Sequence, residues 1–205
     1  MTVSKVQIGY NRAVANEGTA RGGGIRVGPF GTLDLTDSHI TGNTADAPNG
    51  TAQGGGLDNP DGGTLTARRN KVLRNTVTAK DGTAQGGGLY HGGGTTGLGT
   101  TTLEENTITH NRAGDGGGIF KASGILTLNG DIVRHNQPNN CSPVGSVPGC
   151  TGRRPLRRCS QRYPGSRGRA SRVRPRTAEP GITAFCTVPA PARSPLTSCG
   201  DQGFL

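Results

Sequence analysis

Large aromatic side chains are nearly absent from this chain. There is no tryptophan, and aromatic residues make up 3% of 205, which excludes a core built on bulky rings. No apolar run approaches the ~18 residues of a membrane-spanning helix. The opening stretch, MTVSKVQIGYNRAVANEG, lacks the apolar segment and small-residue cleavage site of a secretory leader. Lysine is missing beyond residue 150, although the tail is strongly basic. The net charge of +10 is therefore unevenly placed: residues 1–150 carry 12 basic and 11 acidic residues, whereas 151–205 carry 11 arginines and 2 acids. A nucleic-acid footprint, if there is one, belongs to the tail alone.

What the chain has in excess is glycine, 37 residues against a typical ~7% of a sequence, and the glycines are periodic. Triplets start at Gly22, Gly54, Gly86 and Gly116, each followed by Ile25, Leu57, Leu89 or Ile119. The octapeptide GTAQGGGL occurs identically at 50–57 and 82–89. In each interval an apolar residue stands three before an asparagine: Ile40–Asn43, Val72–Asn75, Ile108–Asn111 and Val133–Asn136, with an earlier copy at Ile8–Asn11. Upstream of these lie alternating pairs, Leu33 and Leu35, Leu65 and Ala67, Thr101 and Leu103, and Leu126 and Leu128. Three short period-two segments thus recur in fixed order. None can bury its apolar face alone, so successive units must stack, each strand pairing with its equivalent about 4.8 Å away. The expected fold is an all-β, three-sided parallel β-helix of about four coils over residues 1–152. Gly22, Gly54, Gly86 and Gly116 form its corners. Asn11, Asn43, Asn75, Asn111 and Asn136 form an internal ladder that bonds the backbone at a tight turn.

This rhythm resembles right-handed parallel β-helix repeat proteins, and is similar to bacterial surface and secreted proteins with polymorphic outer-membrane-protein-type repeats. The resemblance implies a secreted or surface scaffold that binds carbohydrate or cell-envelope partners, although the chain shows no leader. It also implies that the Cys-bearing cap 137–152 is closed by a Cys141–Cys150 disulfide rather than a metal pair. The segments 44–53, 76–85 and 91–100 read as variable loops, where binding would reside. The amino end enters the pattern partway, which reads as missing earlier coils, or as residues 1–18 serving as their own cap. Residues 153–205 read as a disordered Arg/Pro-rich segment: an out-of-frame extension, a basic arm for nucleic acid, or a linker.

Catalytic signatures are weak. No triplet is followed by the Lys-Ser/Thr of a phosphate loop, and no tandem aspartate pattern for calcium is present. Asn129–Asp131 and Arg69–Lys71 match fragments of the polygalacturonase-type set, but in reversed order and without a paired aspartate. Tyr90–Gly94 does not match its histidine motif. Glu104 and Glu105 are expected to face opposite sides of a strand. Asp34, Asp37, Glu104 and Asp131 could form a calcium-dependent lyase site only if the coils aligned them. His110 and His135 share one repeat position, where a solvated turn is favoured over a metal pair. No catalytic, cofactor or metal residue is assigned.

Overall fold

The computed structural model describes residues 1–60, 62–92 and 98–150, with the backbone of 185–186 and 199–200. Met1–Pro155 form one compact unit and Leu156–Leu205 another. In the second unit the described residues are two short strands, Phe185–Cys186 and Cys199–Gly200, paired antiparallel. The rest of the tail lies outside the described residues, and with it the readings of residues 153–205 as disordered, basic or out of frame.

The first unit is a parallel β-solenoid of about four turns, with no helix among the described residues. Its strands stack into five ladders rather than the three read from the repeat. Ladder I contains Thr2–Ser4, Thr32–Thr36, Thr64–Arg68, Thr100–Glu104 and Ile125–Asn129. Ladder II contains Gln7–Gly9, His39–Thr41, Lys71–Leu73, Thr107–Thr109 and Ile132–Arg134. Ladder V carries the residues after each glycine triplet: Ile25–Arg26, Leu57–Asn59, Leu89–His91, Ile119–Lys121 and Cys141–Ser142. Every pairing within these ladders is parallel and in register, so each inward position meets its equivalent in the next coil.

Ladders III and IV were not foreseen. They comprise Arg12–Val14, Thr44–Asp46 and Thr76–Thr78, and then Thr19–Arg21, Thr51–Gln53 and Thr83–Gln85. The segments 44–53 and 76–85 are therefore largely strand, not loop. Their inward residues are alanine or valine, which carry too little apolar surface to stand out in a sequence as strand. Residues 93–97, half of the 91–100 segment, lie outside the described residues. At the amino end, Thr2–Ser4 already belongs to ladder I, with Val3 below Leu35 in the same row, so the Ile8–Asn11 segment does have a strand before it.

The core divides accordingly. Leu, Ile and Val from ladders I, II and V fill one cluster, capped by Cys141 and Val147. Ladders III and IV face each other across a separate cluster of Ala20, Ala45, Ala47, Ala52 and Val77. Side chains this small let two sheets approach more closely than Leu would allow, which makes the second lobe a thin fin on the body. The fin ends after the third coil. Eleven positions separate Asn75 from Gly86 but only five separate Asn111 from Gly116, and isolated bridges at Arg112 and Asp115 replace the missing strands. A shallow depression of about 440 Å³, lined by Arg112, Ala113, Gly114, Gln137 and Pro138, marks the step.

Candidate functional site

Asparagine side chains run through the body as a hydrogen-bonded column. The Asn75 side-chain oxygen accepts from the backbone N–H of Asn43 at 2.9 Å and from its Nδ2 at 3.0 Å. Nδ2 of Asn75 in turn donates to the Ile40 carbonyl at 2.9 Å and to Asn111 at 3.1 Å. The same pattern joins Asn11 to Asn43 below, and Asn111 to Asn136 and then Asn140 above. The column lies under the third glycine of each triplet: a Cβ on Gly56 would stand 2.9 Å from Nδ2 of Asn75. A second column was missed. Ser38, Asn70, Asn106 and Asp131 stack between ladders I and II, with Asn106 Oδ1 accepting from Asn70 N–H at 2.8 Å and Asp131 Oδ1 accepting from Asn106 N–H at 2.8 Å. Its signal was a polar residue five positions before each asparagine of the first column, disguised by the change from Ser to Asn to Asp.

The residues nominated by enzymatic motifs do not converge. Arg68, Glu104 and Asn129 share one row of ladder I, so the Arg69–Lys71 and Asn129–Asp131 fragments lie two coils apart. Asp131 is the end of the second column. Glu104 accepts from Arg68 Nε at 2.7 Å, and Asp37 from Arg69 Nε at 2.8 Å. That Arg69 bond holds the exposed Asp37 carboxyl below its ordinary range. Thr78 and Arg12 do the same for Asp46 on the fin. Glu105 is not on the strand at all: it sits past its end at a left-handed corner with φ 56°, beyond Glu104 rather than on the opposite face. His110 and His135 occupy equivalent left-handed corners, both exposed, their rings 5.4 Å apart. Cys141 and Cys150 are joined in a disulfide.

One part of the outer surface differs from the rest. Outward residues of ladder V are buried: Asp58, Tyr90, Phe120 and Ser142, above a partly exposed Arg26. The glycine triplet turns the chain inward here, so ladders IV and V meet at a concave corner. A Cβ on Gly54, whose φ is +66°, would come within 2.8 Å of the Asp58 Cβ. Side chains from the two walls touch across the turn. Arg21 lies 4.0 Å from Asp58 and 5.9 Å from the Tyr90 ring centre, and Ser142 Oγ donates to Asp115 at 2.7 Å. Tyr90 and Phe120 stack at 5.6 Å with planes 2° apart, so each covers a face of the other.

Within this corner the second coil carries unmet acceptors. Asp58 is 1% exposed, and among the described residues its partners are the guanidinium groups of Arg26 at 3.4 Å and Arg21 at 4.0 Å. Neither of its oxygens accepts a hydrogen bond, nor does the Oε1 of Gln53, which is 6% exposed and stands on the facing wall. Gln53 does donate to Gln85 at 3.3 Å, which fixes the carboxamide's orientation. Burial pushes the Asp58 carboxyl up to about 6, against the pull of Arg21 and Arg26. Buried acceptors left without donors from the protein are uncommon and costly, and they call for protons from a bound water or ligand.

The fold and its corner define a parallel β-solenoid with a polar concave edge. No family model, curated protein or solved structure matches the chain. No helix among the described residues is long and apolar enough to cross a membrane.

Proposed function

We propose that this β-solenoid is a non-catalytic scaffold, secreted or displayed at a cell surface, that binds carbohydrate or other cell-envelope components through rows of outward side chains. The resemblance of its repeat to polymorphic outer-membrane-protein-type units supports the setting. The observation that carries the non-catalytic reading is the fate of four carboxylates. Glu104, Asp37 and Asp46 are each tied to an arginine one coil away, and Asp131 to Asn106. Carboxylates held in this way brace neighbouring coils, whereas acid–base work on a glycosidic bond needs two of them facing one substrate. Outward Thr, Asn, Gln and Arg side chains offer hydrogen-bond donors and acceptors of the kind a polyhydroxylated partner requires.

A glycan array probed with the full-length chain, followed by assays for reducing ends and unsaturated products on each hit, tests the reading. Binding without turnover is the expected result. Release of either product would overturn it in favour of a polysaccharide-cleaving enzyme of pectin-lyase-like fold.

A further inference from the structure

The concave corner has one stretch where the protein's own groups leave the binding potential unused, at the second coil. Between the fourth and fifth levels the two walls are bonded to each other, because Ser142 donates to Asp115. In the third coil it is filled by Tyr90, stacked on Phe120 and overlain by Arg21. In the first coil Arg26 and Arg21 supply guanidinium groups. Between these levels lie three buried acceptor atoms with no donor, the two Asp58 oxygens and Gln53 Oε1.

We propose that this corner is a binding subsite for a single sugar residue. Asp58 and Gln53 accept its hydroxyl protons, and Arg21 and Arg26 donate to its oxygens. The proposal rests on the carbohydrate-binding reading above and narrows it to one place and one unit.

The ligand chemistry follows from the groups. A hard cation would want six or more oxygen ligands, and two guanidinium groups within 4.0 Å of the same carboxylate repel it. An anion would meet the unmet acceptors of Asp58 and Gln53. A neutral polyol satisfies both sets, since each hydroxyl donates to one group and accepts from another. A carboxylate takes two adjacent hydroxyls side by side, which points to a vicinal diol. Size sets the limit to one residue. The level is one coil high, about 4.8 Å, with the aromatic stack above and Arg26 below. A polymer therefore presents an end or a branch here and does not run along the groove. Stacking contributes little, because the faces of Tyr90 are taken by Phe120 and Arg21. Arg21, 4.0 Å from Asp58 and 5.9 Å from the Tyr90 ring centre, bounds the level on the side of ladder IV.

The test uses the full-length chain and calorimetric titration with methyl glycosides of glucose, galactose, mannose and xylose, each beside its hexasaccharide. Asp58→Asn and Gln53→Ala are compared with the parent after their melting curves show a folded solenoid. The expected result is that one methyl glycoside binds, that its hexasaccharide binds no tighter per chain, and that each variant weakens binding about tenfold. Undiminished binding in both variants would overturn the corner while leaving a carbohydrate-binding scaffold. A hexasaccharide that binds where its methyl glycoside does not would overturn the single-residue limit. Binding by none of the probes, with an empty glycan array, would overturn both readings together.

Discussion

The body and the fin are built on the same coil repeat, yet they solve the packing problem differently. The body fills its interior with Leu, Ile and Val, and satisfies its corners with two columns of polar side chains, most of them carboxamides. Among the described residues the fin has alanines and one valine between its sheets, no polar side-chain column in its interior, and no strands beyond the third coil. Burial free energy scales with apolar area, about 25 cal/mol per Å², so an alanine interior contributes far less per coil. The difference shows which part of the repeat makes the solenoid and which part is an outgrowth that a coil can lose.

The largest expected effect lies in the body. Asn75→Ala removes the oxygen that accepts from both the backbone N–H and the Nδ2 of Asn43, and leaves the Ile40 carbonyl without its side-chain donor. With two or more buried groups unmet, a loss of about 4 kcal/mol is expected in urea unfolding. A loss below about 1 kcal/mol would mean that backbone stacking alone holds the corner. Next comes Leu65→Ala, at a residue 1% exposed in the main cluster, expected to cost about 3 kcal/mol.

Asp58 sits where fin and body meet, and there the sign reverses. Its folded carboxyl titrates near 6, above the unfolded value, so its contribution to stability is present at low pH and is lost as pH rises through 6. Asp58→Asn is therefore expected to stabilise the chain by up to about 3 kcal/mol at pH 7.5, with the difference shrinking toward pH 4.5. A variant less stable than the parent at pH 7.5 would show that the pairs with Arg21 and Arg26 outweigh burial. Smallest is the fin: Ala52→Gly, fully buried in the alanine cluster, is expected to cost about 1 kcal/mol by the same urea measurement. A cost equal to that of Leu65→Ala would erase the distinction between the two lobes.

Legibility in the sequence follows the same division. The body announced itself because an inward row needs an apolar residue in every coil: Ile8, Ile40, Val72, Ile108 and Val133 recur in phase and stack in ladder II. The parallel stacking of about four turns was therefore readable. The fin was not, because Thr-Ala-Gln and Thr-Ala-Asp look like loop when the only apolar group is a methyl. The second column hid in a change of identity from Ser38 to Asn70 to Asp131. The concave corner was the least visible. Its residues Arg26, Asp58, Tyr90 and Phe120 share a row but no chemical type, and only the inward turn of the triplet buries the last three. GTAQGGGL repeats because Gln53 and Gln85 form one wall of that corner and Gly54 and Gly86 its floor.

Native-state hydrogen exchange tests the division between lobes most directly. The amides of Leu57, Asn70, Lys71 and Asn75, which bond to neighbouring coils or to carboxamide oxygens, should exchange only through global unfolding. Those of Ala47 and Thr51 in the fin should exchange much faster, through a local opening that leaves the body intact. Uniformly slow exchange across both sets would contradict the account, since it would make the fin a full partner in one cooperative fold.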